Sequence, residues 1–227
     1  FNDVHDLGKD WLSDMGGVYT LGLSEGSTVS NNVVHDVYSF SYGGWGLYTD
    51  EGSTGITLEN NLVYNTKTGS FHQHYGKENL VRNNLLIDSK EQQIQRSRAE
   101  NHLSFTFENN IVYYHTGNLL AGLWKDANVT LRNNVYWNAA GAPISFAGMS
   151  FDAWQKSGKD AGSIIADPKF VDPQARDYHL QGDSPALKLG FKPFDFTKAG
   201  VYGDAAWIKL ANSQTYRPLE IEPAAPK

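Results

Sequence analysis

The stretch GWGLYTDEGSTGITLENN, residues 44 to 61, places two carboxylates, Asp50 and Glu51, where an aromatic-rich run meets a glycine turn. Paired acids suit glycoside cleavage: a protonated carboxyl donates to the leaving oxygen, and an ionised one attacks or activates water. Asp50 has neighbours that a lone turn acid lacks. Trp45 and Tyr48 precede it, and SFHQH, residues 70 to 74, brings His72 and His74 one repeat later. The two His alternate along one strand and so face the same side. With Asp50 they could hold a metal. The favoured reading is that they hydrogen-bond sugar hydroxyls and tune a carboxyl, with no resident metal or cofactor. Tyr19, Trp45 and Tyr48 offer flat faces on which sugar rings stack, unless they belong to a loop core. Arg96 and Arg98 in IQRSR could hold an anionic sugar or simply be solvated. Glu51 is the rival acid, and reads equally as a turn residue binding backbone or a cation.

The elements that must position these groups are visible as a repeat. Asn pairs recur, and the second Asn of each pair falls at Asn32, Asn61, Asn84, Asn110 and Asn134, with Asn2 in the same frame, at spacings of 30, 29, 23, 26 and 24 residues. Three residues before each full anchor stand Val29, Leu58, Val81, Phe107 and Leu131; two after stand Val4, Val34, Val63, Leu86, Val112 and Tyr136. This is strand alternation interrupted once, at a bend. Such a period without helical segments means a solenoid of β coils, each about 4.8 Å from the next. An inward Asn at each bend would join its neighbours in a ladder. A further strand in each coil reads GVYTL, GLYTD, SFHQH and QIQRS. It should turn Val18, Leu47, Phe71 and Ile94 inward. Tyr19, Tyr48, His72 and Gln95 then form one outward row, and Leu21, Asp50, His74 and Ser97 the next.

Composition agrees with an all-β protein: 227 residues, 22 Gly, 13% aromatic and only 19% charged residues. A net charge of −6 without a basic run argues against nucleic acid, and no apolar stretch is long enough to span a membrane. Cysteine is absent, which excludes disulfides and thiolate metal sites. The expected organisation is coils over residues 1–145, a closing coil or cap over 146–211, and a strap or tail over 212–227. Ser150 should cap a short helix presenting Phe151 and Trp154.

The repeat resembles right-handed parallel β-helix proteins, the architecture of pectate lyases and several glycoside hydrolases. SDMGGVYTLG, GGWGLYTDEGSTG, GSFHQHYGKENLVRNN, IQRSR, HLSFTFENNIVY, SFDAWQKSGKD and ADPKFVDP together resemble the β-helix glycoside hydrolases of family 141, which include α-L-fucosidases and xylanases. The resemblance implies that Asp14 and Asp50 are the catalytic pair. By register Asp14 lies about seven residues ahead of the level of Asp50, roughly 20 Å if extended. Its loop must therefore arch over the cleft, as Gly16 and Gly17 would permit. The resemblance also implies the C-terminal part of a longer protein. The N-terminal remainder would then be a partner, and Phe1, Val4 and Val18 would lie at an uncapped or partner-covered end.

The expected function is hydrolysis of a plant or algal polysaccharide in the periplasm or outside the cell. Two alternatives stay open. A polysaccharide lyase would use Arg or Lys as base and bind calcium with acids, drawing on Lys77, Arg96, Arg98, Asp50 and Glu51. A non-catalytic carbohydrate-binding solenoid would use the same surface without chemistry.

Overall fold

A computed structural model describes residues 1–125 and 127–217. The chain is a parallel β-solenoid of about six turns. Three parallel sheets run along it, and each of the first five coils gives one strand to each. The first sheet takes Asp3–Leu7, Val33–Val37, Leu62–Thr66, Leu85–Ile87, Ile111–Tyr114, Val135–Asn138 and Ile164–Ile165. The second takes Gly16–Thr20, Trp45–Thr49, Gly69–Gln73, Gln92–Arg96 and Asn118–Gly122. The third takes Thr28–Ser30, Thr57–Glu59, Asn79–Arg82, Phe105–Glu108 and Thr130–Arg132.

The registers match the repeat. Val4, Val34, Val63, Leu86, Val112 and Tyr136 align across the first sheet. Val29, Leu58, Val81, Phe107 and Leu131 align across the third. With Leu47, Phe71 and Ile94 they fill the core between the sheets.

The Asn pair divides its labour. The first member, Asn31, Asn60, Asn83, Asn109 or Asn133, takes the left-handed backbone conformation, with φ between 53° and 58°. Asn tolerates that region better than most residues. The second member turns inward. Asn2 donates to Asn32 at 2.9 Å, Asn32 to Asn61, Asn61 to Asn84 and Asn84 to Asn110 at 3.0 Å each, and Asn110 to Asn134 at 3.3 Å. From Asn61 onward each Nδ2 also donates to a backbone carbonyl of the third sheet. The ladder ends on Asp160, wholly buried, which accepts from Asn134, Tyr136, Trp154 and Ser163.

Helix Phe151–Lys156, capped by Ser150, sets Trp154 against Trp124 and Phe146 to close this end of the core. The chain then does something other than the expected closure. From about residue 167 it runs back along the outside of the first sheet. Phe170, Tyr178, Ala186 and Phe191 pack there on Val33, Leu62, Leu85, Ile111 and Val135 as a second core. Asn109 donates to Leu189 O, Asn83 exchanges hydrogen bonds with Lys192, and Gly200 N donates to Phe1 O at 3.0 Å. After helix Ala205–Asn212, Arg217 reaches Lys9 and Asp10. The strap thus starts well before residue 212, and the rest of the expected tail, 218–227, lies outside the described residues. At the opposite end Asn2, Val4, Val18, Val29 and Asn32 line an open cavity of about 270 Å3, with Phe1 exposed beside it.

Candidate active site

The second sheet carries the candidate site on its outer face. Its strands pair Tyr19 with Tyr48, Tyr48 with His72, and His72 with Gln95. In-register strands hold the rings at the strand spacing. Tyr19 and Tyr48 stack at 4.7 Å, and Tyr48 and His72 at 4.6 Å. Trp45 lies across this row, 4.4 Å from Tyr48 and 4.2 Å from His72, and donates to Gln95 at 2.7 Å. Gly69, beside it in register, leaves room for the indole: a Cβ there would press on the ring at 3.3 Å.

This packing corrects one expectation. Trp45, Tyr48 and His72 are only 3%, 3% and 2% exposed. They form a buried layer, not open sugar platforms. Tyr19 is the exposed member of the row, at 46%.

The two expected acids meet through this layer. Tyr19 donates its phenolic proton to Asp50 Oδ2, and Tyr48 donates to Asp14 Oδ1 at 3.2 Å. The Asp14 loop does arch over the sheet, but not because of Gly16 and Gly17. Those glycines lie in a strand, and a Cβ at either would collide with Tyr48 or Val34. The turn is made by Asp14 itself, at φ 53°, and is pinned by Asp14 N donating to Tyr42 O at 2.9 Å.

The electrostatics follow from crowding. Burial raises the phenol pKa of both Tyr19 and Tyr48, and Asp50, Asp14 and, for Tyr19, Glu51 raise it further. Burial and Asp14 act the same way on exposed Tyr42. These tyrosines therefore remain proton donors at neutral pH. Tyr48 has two carboxylate neighbours and one proton to give. It gives that proton to Asp14, and Asp50 Oδ1 is left buried without a partner. Such an orphaned carboxylate oxygen is costly and marks a place where a ligand hydroxyl would be held.

The remaining candidates divide. His72 Nε2 and His74 Nδ1 both contact Ser97 Oγ at 2.8 Å. Neither hydrogen-bonds Asp50 among the described residues. Burial, helped by the charge of His74, pushes the His72 pKa down to about 3, so His72 is neutral. Among the described residues no three His, Asp or Glu groups converge in metal-binding geometry. Arg96 points inward: it is 1% exposed and donates to Leu123 O and Ser104 Oγ. It cannot hold a sugar from there. Arg98 is exposed and lies over the Tyr75 ring at 4.5 Å. Lys77 sits on a separate two-stranded ribbon with Ser53–Thr54 and pairs with Glu78 at 3.6 Å. Glu51 is exposed in the turn after Asp50.

Sequence reasoning missed two groups. Ser97 shares an outward row with His74, and a hydroxyl between two imidazoles is readable once that row is drawn. Trp11, Phe40 and Tyr42 form an exposed aromatic rim beside Asp14, with Trp11 and Phe40 at 4.5 Å. They lie in loops outside the repeat and carry no periodic signal. No protein-family model, curated protein or solved structure matches this chain.

Proposed function

We propose that the protein is a glycoside hydrolase that cleaves a plant or algal polysaccharide with Asp14 and Asp50 as its paired carboxyls. The observation that carries this reading is the meeting of two acids, 36 residues apart in sequence, on a shared layer of stacked tyrosines. One carboxyl protonates the glycosidic oxygen and the other attacks the sugar or activates water. Tyr19 and Tyr48 stay phenolic and hold the two carboxyls at fixed positions. A bound sugar meets Tyr19 first, since Asp50 lies beneath it, and the rim of Trp11, Phe40 and Tyr42 offers rings for neighbouring sugars. The motif resemblance to family 141 supports the same reaction class and an α-L-fucosidase or xylanase substrate. A polymeric substrate implies action in the periplasm or outside the cell.

A lyase needs a basic group beside the scissile unit. Among the described residues no Lys or Arg contacts Asp14 or Asp50, and Arg96 is sealed in the core.

The test is reducing-end release from xylan and from fucosylated oligosaccharides, with absorbance at 235 nm followed in parallel. Asp50→Asn and Asp14→Asn should each lower turnover by several powers of ten. The melting temperature should move little, because the amide keeps the shape of the carboxyl. Unsaturated product would establish a lyase, and near wild-type rates in either variant would remove this mechanism.

A further inference from the structure

A second cavity lies far from the acids in the fold. It has a volume of about 590 Å3 and sits where the strap crosses the outer face of the first sheet near its last coils. That volume is in the range of small-molecule sites. Tyr113 and Trp137 stand side by side in register on neighbouring strands and form its floor. Phe170, 5.4 Å from Tyr113, forms a wall, and Asp167, Lys169 and Gln181 of the strap complete the lining.

The polar groups decide what fits. The Trp137 indole N–H and the Tyr113 hydroxyl make no hydrogen bond among the described residues, though both residues line the cavity. Tyr113 remains a phenol, since burial and the nearby Asp88 and Asp167 raise its pKa. Lys169 is already paired with Asp183, and its backbone N–H donates to Asp167 Oδ1 at 2.8 Å. The free charge at the cavity is therefore negative. Tyr113 and Phe170 are nearly buried, so Trp137 is the lining ring with a face to offer, and a ligand there needs an apolar face to stack on it, acceptors for two unused donors, and no negative charge of its own. A quaternary ammonium would suit the ring and the charge but offers nothing to the donors.

We infer that this cavity is a second carbohydrate-binding site, separate from the acid pair, that takes a neutral sugar unit of a polysaccharide chain. It shares with the proposed function only the premise that the ligand is a carbohydrate. A chain held here would be tethered to the solenoid while another part of it meets the acids, which raises the effective substrate concentration.

The test uses the Asp14→Asn/Asp50→Asn double variant, so that binding is read without cleavage. Its migration is measured in native gels containing arabinoxylan, xyloglucan or polygalacturonate, with choline chloride as a competitor. Retardation by a neutral polysaccharide is expected. Adding Trp137→Ala should weaken it about tenfold, and adding Gln181→Ala, at an exposed strap position whose side chain donates to Phe170 O, should weaken it with only a small fall in melting temperature. The inference is overturned by unchanged retardation in both variants, by retardation in polygalacturonate alone, by competition from choline, or by no retardation in any gel. Loss of hydrolysis in the parent, with this binding intact, would overturn the proposed function and leave this site standing.

Discussion

Two histidines titrate in opposite directions, and each makes a separate claim about stability. His72 is neutral when folded, with its pKa pushed down to about 3, against about 6.5 unfolded. Between those values the unfolded chain binds the extra proton, so His72 costs stability as pH falls below about 6.5. His35 is the reverse. It is stacked between His5 and Tyr64 at 4.9 and 4.6 Å and contacts Asp36 at 2.6 Å and Asp3 at 3.2 Å. Burial opposes its charge, but these carboxylates prevail and raise its pKa to about 9. Its contribution is full below about 6.5 and is lost as pH rises through 9. Each slope is at most about 1.4 kcal/mol per pH unit. Melting temperatures across pH 4 to 10 should show His72→Gln flattening the acid side and His35→Gln flattening the alkaline side. A flat wild-type profile over pH 6.5 to 9 would remove the His35 claim. Alternation gave the row of Tyr19, Tyr48 and His72 from sequence alone. The same alternation, which turns Ile94 inward, also sends Arg96 inward two residues later. The burial of Trp45 was harder to read, because it rests on the size of its cross-strand neighbours, Gly69 beside it and the rings of Tyr48 and His72, and alternation fixes only which way a side chain points.

At the scale of the element, the Asn ladder makes the sharpest claim. The side chain of Asn84 accepts from Asn61 N and Nδ2 and donates to Leu58 O and Asn110 Oδ1. Asn84→Leu removes all four bonds inside a bend that water does not reach. At about 1–3 kcal/mol for each buried group left unpaired, the variant should lose several kcal/mol. Chemical denaturation measures this, and a loss under 1 kcal/mol would show that the ladder is not structural. The inward column was legible because identical residues recur at one phase of the repeat. The duty of the first Asn was not, since a left-handed backbone leaves no mark beyond a tolerance for Asn. Asp160 was invisible for another reason: it ends the ladder from outside the repeat, 26 residues after Asn134.

For the whole molecule, the coils were legible and the strap was not. Coil stacking repeats, whereas the contacts of Asn109 with Leu189 and of Asn83 with Lys192 join positions about 80 and 109 residues apart with no local pattern. A plain stack of coils touches only its neighbours and can fray one coil at a time from an end. Here a single belt, packed on every strand from Val33 to Val135, ties the first coil to the last. Opening any coil therefore loosens a belt that the others share, and unfolding should become all-or-none. Native-state hydrogen exchange reads this directly. Amides of Val33–Val37 and of Ile111–Tyr114 should open with one common free energy. Phe191→Ala, which slackens the belt by removing a buried ring, should split them and leave the first coils free to fray; a graded series in the wild type would mean that the belt is only a cover.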